Sequence, residues 1–223
     1  MLWTRLAPDP LNGGGMPSRA VPVRWFVAED AGMRRLVQRG VAAAVPELAH
    51  SVHVEVNGLR PGRDYYYRFA CDGDEESAVG HFRTASLPDT QLQQLRLALC
   101  TCQAWNSGYY PVLRDIAQSD VDLVLHAGDY LYEYSPLQNA RGSKLDAARF
   151  SGETVSLERY RDQYALYKLD PDLQAAHAAH AFAVIWDDHE VQNDYSGIHP
   201  EKPGVSIEDL SLIHISEPTR LLS

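Results

Sequence analysis

Three short stretches hold side chains that can bind metal ions or move protons. They are Cys100-Thr101-Cys102-Gln103, His126-Ala127-Gly128-Asp129-Tyr130-Leu131-Tyr132-Glu133 and Trp186-Asp187-Asp188-His189-Glu190. Thiolate, carboxylate, phenolate and imidazole are all metal ligands, and a set mixing them suits one or more transition or hard cations. Taken singly, each stretch has an ordinary reading. Gly-Asp after a strand makes a turn, because glycine accepts positive φ and aspartate caps the next helix. A buried cysteine is a small core residue, and an Asp-Asp-His-Glu run is a solvated loop. Taken together they point elsewhere, because each stretch comes directly after an apolar run of strand length.

Those runs are Leu95–Cys100, Val121–Leu125 and Ala181–Trp186, nearly continuous in apolar residues as strands covered on both faces are. Helical spacing fills the gaps: Tyr110–Gln118 carries Val112, Leu113 and Ile116, and a second helix is predicted over Leu157–Lys168. A third starts from Asp170 as N-cap with Pro171 in its first turn and runs through Leu173 to His180. Strands alternating with helices predict a parallel, layered α/β sheet. Ligands gather at the carboxyl ends of such strands, so the three stretches are expected to converge on one metal site.

The chain before this region has a different grammar. Leu2–Leu6, Val21–Val27, Val52–Val56, Asp64–Ala70 and Gly80–Thr84 are short β-type runs separated by Gly, Pro, Asn and Asp, which predicts a β-sandwich of fibronectin-III or Ig-like type. In Leu59-Arg60-Pro61-Gly62-Arg63-Asp64-Tyr65 a turn precedes a tyrosine whose hydroxyl is expected to bond back to it, and Tyr65, Tyr67 and Phe69 alternate on one buried face. Ser86–Gln94 is polar, contains Pro88 and reads as a linker. The expected division is therefore 1–86 sandwich, 87–94 linker, 95–209 first half of an α/β domain, and 210–223 a tail of separate character.

Several long motifs resemble the alkaline phosphatase D family, the PhoD-like branch of the calcineurin-like metallophosphoesterases. They are Ala98-Leu99-Cys100-Thr101-Cys102-Gln103, the segment His126 to Tyr134, Tyr160-Arg161-Asp162-Gln163-Tyr164-Ala165-Leu166-Tyr167, Asp170-Pro171-Asp172-Leu173-Gln174-Ala175-Ala176-His177 and Trp186-Asp187-Asp188-His189-Glu190-Val191. The resemblance runs in order from about Leu2 to about Gly197. It implies hydrolysis of phosphomonoesters and phosphodiesters at a dinuclear site, with Asp129 bridging two metals. Cys102 and Tyr132 would bind the first as thiolate and phenolate, donors that suit Fe3+, and Asp188 would bind the second, Ca2+ in the family. Asp188 replaces the asparagine of the superfamily's Gly-Asn-His-Glu motif. His189 would hydrogen-bond a phosphoryl oxygen or the leaving group, and Arg161 would contact phosphate.

The resemblance also implies a second half carrying a Gly-Asp-x-His type block, and a twin-arginine export signal ahead of Met1. Neither is in this sequence, so the expectation is a catalytically poor fragment of an exported enzyme, with an open apolar sheet edge. Ser211–Ser223 has no counterpart in the family and reads as a translated sequencing-adaptor string. The alternative reading is a non-catalytic binding module acting through the sandwich. Composition narrows the partners. A net charge of −10 without any block of Lys or Arg argues against nucleic acid, and no apolar run reaches bilayer-spanning length. Cys71, Cys100 and Cys102 are too few for a disulfide framework, and Cys100 and Cys102, two apart on a predicted strand, cannot easily bridge.

Overall fold

The structure, a computed structural model, describes residues 1–72, 75–138 and 140–196. The tail and everything expected from residue 197 onward lie outside the described residues. Six strands come first: β1 (Leu2–Arg5), β2 (Val21–Ala28), β3 (Leu36–Ala44), β4 (Ser51–Val54), β5 (Asp64–Ala70) and β6 (Gly80–Arg83). They form two antiparallel sheets, β1-β4 and β3-β2-β5-β6. Leu2, Val52 and Val54 from one sheet meet Val23, Val27, Tyr65 and Phe69 from the other in a single core. The two-residue period of β5 is what turns Tyr65 and Phe69 inward together. The Tyr65 hydroxyl accepts the Arg60 N–H at 3.0 Å, the return bond its turn predicts.

Strand β3, the longest at nine residues, is absent from the sequence-based expectation. Its Ala-rich stretch and Gly40 have little β-propensity. Tertiary packing overrides this: the Trp25 indole of β2 lies over Gly40, where an added Cβ would come within 2.6 Å of the ring. A larger residue there would lift the edge strand from its neighbour.

The second layer holds β7 (Leu97–Cys100), α1 (Pro111–Gln118), β8 (Leu123–His126), the short α2 (Ala147–Phe150), α3 (Leu157–Lys168), α4 (Pro171–Ala179) and β9 (Phe182–Val184). The strands are parallel in the order β7-β8-β9. Asp170 caps α4 as predicted, its Oδ1 accepting the amides of Asp172 and Leu173 at 2.9 and 3.2 Å. Leu113 and Ile116 of α1 and Leu173 and Ala176 of α4 cover one face of the sheet around Val124. The two-sided burial expected from the apolar runs is not what the structure has. Leu97, Leu99 and Ile185 are 48%, 72% and 54% exposed, so among the described residues the second face is open.

The two layers touch through main-chain acceptors. Arg161 on α3 donates to the Glu47 carbonyl at 2.6 Å, Arg5 donates to the Arg161 carbonyl at 3.3 Å, and His81 Nδ1 donates to the Ala179 carbonyl at 2.9 Å. At the same junction Lys168 lies over the rings of Trp3 and Tyr130, with its Nζ 3.2 Å from Nε2 of His177. The Tyr130 hydroxyl is hydrogen-bonded to the same nitrogen at 2.8 Å. Burial pulls the Lys168 ammonium down to about 7. Between that value and the ordinary lysine range of about 10.4, the unfolded chain binds a proton that the folded chain does not, so stability from this group rises with pH over that interval. Lys168→Met is therefore expected to raise the thermal midpoint at pH 7.5, with the gain shrinking towards pH 10.5. Thermal melts at the two pH values check it; a pH-independent gain would mean that packing alone changed.

Candidate metal centre

All three stretches singled out by their chemistry sit where strands end. Strand β7 stops at Cys100, and the chain turns at once: Cys102 has φ of 56°, so it leaves the strand rather than continuing it beside Cys100. That corrects the placement of both cysteines on one strand. The turn is tied to the loop after β8, since Gln103 N–H donates to the Asp129 carbonyl at 3.0 Å and Gln103 Nε2 to the Tyr130 carbonyl at 2.8 Å. After β8, Gly128 and Asp129 both take positive φ, 92° and 54°. Asp tolerates this conformation better than most side chains, and it aims the carboxylate back over the strand ends.

Around the Asp129 carboxylate the predicted ligands gather. The Cys102 thiol and the Tyr132 hydroxyl both donate to its Oδ2, at 3.3 and 3.0 Å. One donor atom each from Asp129, Asp188 and His189 lie within 4.8 Å of one another. Asp129 thus belongs to two donor groups at once, Cys102–Tyr132 on one side and Asp188–His189 on the other. Arg161 is the one predicted site residue that the structure does not bring to this cluster; its guanidinium is spent on the Glu47 carbonyl described above. Its helix position faces the N-terminal sheets, and helical spacing alone does not say which neighbour lies there.

Two acidic residues escaped the sequence-based assignment although both lie within the motifs. Glu133 is 2% exposed, and its Oε2 accepts His189 Nδ1–H at 2.8 Å while Oε1 accepts the Asn193 amide at 3.0 Å. That fixes the imidazole and leaves Nε2 as the atom free to act; the ring also packs against Tyr132, centroids 4.1 Å apart. Glu190 is 4% exposed and accepts three main-chain amides, from Asp129 (3.1 Å), Tyr130 (2.5 Å) and Asp187 (2.8 Å). Burial pushes its carboxyl upward, against those three donors. The available signal was an acidic residue inside an otherwise buried strand-end segment, a costly placement without a partner.

The donor set fits cations. Asp129 Oδ1 is buried without a hydrogen-bond partner, which an ordinary buried carboxylate avoids. Asp129, Glu133, Asp188 and Glu190 cluster with no Lys or Arg in ion-pair range among the described residues. Burial first, then the neighbouring Asp129 and Cys102, raise the Tyr132 hydroxyl well above an ordinary phenol. The phenol therefore keeps its proton, donated to Asp129 Oδ2, until a positive charge competes for the same oxygens. The arrangement gathers oxygen, sulfur and nitrogen donors around one carboxylate, Asp129.

Comparison with known proteins shows the family of the chain. A family model described as PhoD-like phosphatase matches residues 97–211, and one described as PhoD-like phosphatase, N-terminal domain, matches residues 1–86. Alkaline phosphatase D of Bacillus subtilis (strain 168) is 48% identical over 208 residues, which is 93% of this chain and 35% of the relative. A solved structure titled "Structure of PhoD" superposes with a TM-score of 0.88 at 47% identity, covering 96% of this chain and 41% of that one. The chain spans about a third of the length of the curated relative it matches. No helix among the described residues is long and apolar enough to cross a membrane.

Proposed function

Since this chain belongs to the PhoD-like phosphatase family, we propose that it supplies the front part of a metal-dependent phosphoesterase. Residues 1–86 form the fibronectin-III-like sandwich, 87–94 the linker and 95–209 the first half of the catalytic domain; the full-length protein, carried to its relatives' length, hydrolyses phosphate esters and is exported. The observation that carries this reading is the sharing of one carboxylate, Asp129, between the Cys102–Tyr132 and Asp188–His189 donor groups. The set retains thiol, phenol, carboxylates and imidazole together, which a binding module working through the sandwich would have no reason to keep.

Cys102, Tyr132 and Asp129 would hold one metal and Asp129 with Asp188 the other; the anionic sulfur and phenolate donors suit Fe3+, and the carboxylates suit Ca2+. When bound, such a pair acidifies water and neutralises charge on the attacking and leaving oxygens of an in-line displacement. The protein's own work is positioning. Asp188 Oδ2 is held by the Asp194 amide at 2.5 Å, which orients its other oxygen. His189, with Nδ1 committed to Glu133, presents Nε2 to a phosphoryl oxygen or the leaving group, and Glu133 stabilises the imidazolium that forms if the proton is carried there. Arg161 is assigned no phosphate contact in this arrangement.

The test is release of a chromogenic leaving group from a phosphodiester by the full-length protein. Chelation is expected to abolish it, and Fe3+ with Ca2+ to restore it; activity that survives complete metal removal would overturn the reading. The 223-residue chain alone is expected to be far less active than the full-length protein in the same assay.

A further inference from the structure

Glu190 sits where a carboxylate is most expensive. It is buried beside Asp129, has no cationic side-chain partner among the described residues, and is held by main-chain amides. An apolar residue in that space would leave the three amides without this acceptor, so the carboxylate is there for the bonds it accepts. What its three bonds share is location. Two amides belong to Asp129 and Tyr130, on the loop after β8, and the third to Asp187, beside Asp188 on the loop after β9. One side chain therefore joins the two strand ends that carry the central carboxylates. It also holds the amide of Asp129 while that residue sits at φ of 54°, a conformation that persists only where surrounding structure enforces it.

We propose that Glu190 is a positioning residue for the metal centre: by clamping the Asp129, Tyr130 and Asp187 amides it holds Asp129 and Asp188 in the one arrangement that lets them share cations. The proposal rests on the metal reading of the site. It goes beyond that reading by assigning metal affinity to a residue that offers the metals no atom. The cation charge and the Glu190 charge then favour each other, so loading and clamping strengthen together.

The probe is Co2+, titrated into the metal-free full-length protein, since its visible bands and its thiolate charge-transfer band report the ligands directly. Glu190→Gln keeps the shape and one acceptor oxygen but turns an NH2 towards amide donors. It is expected to weaken Co2+ binding roughly 10–100-fold, the range for losing an outer partner of a ligand, and to alter the bands at saturation. A Glu190 that serves only the fold would lower the thermal midpoint and leave the bands and the Co2+ titration of the folded variant unchanged; that result overturns the proposal. If Glu190→Gln does not fold, Glu190→Asp, which keeps the charge but falls a methylene short, is read the same way. Absence of any saturable Co2+ bands in the unsubstituted protein would sink the metal reading itself, a failure distinct from unchanged binding in the variant.

Discussion

Asp129→Asn is expected to abolish phosphate ester hydrolysis in the full-length protein and to weaken metal binding by more than the roughly 10–100-fold that loss of an outer partner costs. The substitution is nearly isosteric, so the effect isolates charge and donor type. Asp129 Oδ2 takes hydrogen bonds from both Cys102 and Tyr132, and Oδ1 is buried without a partner. In asparagine one of those oxygens becomes an NH2 group. If it replaces Oδ2 it faces two donors, and if it replaces Oδ1 it points a donor at the place where a cation would stand. Neither rotamer leaves two anionic oxygens to share. The folded state itself should tolerate the change, because Oδ1 makes no protein hydrogen bond to lose. Metal titration and chromogenic diester hydrolysis, with circular dichroism as the check on folding, decide the matter. Full activity in a folded Asp129→Asn variant would remove Asp129 from the centre of the mechanism.

Gly128→Ala should be a strongly damaging single methyl group in the α/β layer. Gly128 has φ of +92°, and a Cβ there would lie 2.5 Å from Asp187 Cβ and 2.6 Å from the Asp187 backbone nitrogen. The left-handed backbone costs an L-residue roughly 1–2 kcal/mol, and overpacking adds about 1–3 kcal/mol. No rotamer relieves the clash, because the struck atoms include main chain. The loops after β8 and β9 would have to part, which separates Asp129 from Asp188 and pulls Asp187 N–H from Glu190. A loss of about 3 kcal/mol in urea unfolding is expected from those two contributions, accompanied by loss of metal affinity. A variant with the native midpoint and native metal binding would mean that the strand ends are looser than this packing implies.

The two substitutions approach the same point from opposite sides. Asp129→Asn removes the chemistry and spares the scaffold; Gly128→Ala leaves every donor in place and moves the strand ends that carry them. Metal affinity lost in both, with stability lost only in the second, is the pattern that joint positioning by two loops requires.

Local order was readable from the chain. Apolar runs of strand length, helical spacing in Leu157–Lys168 and the Asp170 cap identify parallel strands and helices, because period and capping depend on neighbours a few residues apart. Their alternation placed Cys102, Asp129, Tyr132, Asp188 and His189 at strand ends, and a parallel sheet does the rest of the gathering. The features beyond reach depended on partners distant in sequence. Strand β3 forms because Trp25 covers Gly40 across the sheet. The direction of Arg161 is set by the Glu47 carbonyl, 114 residues away. Glu133 finds His189 across 56 residues, and Glu190 reaches Asp129 across 61. Residue types and spacing thus determined which groups could do chemistry and which strand ends carry them. Only the tertiary structure decided which carboxylates meet at the cluster and which instead accept amides and an imidazole from other loops, because a buried acid's surroundings are set by the donors packed around it and no local pattern records those.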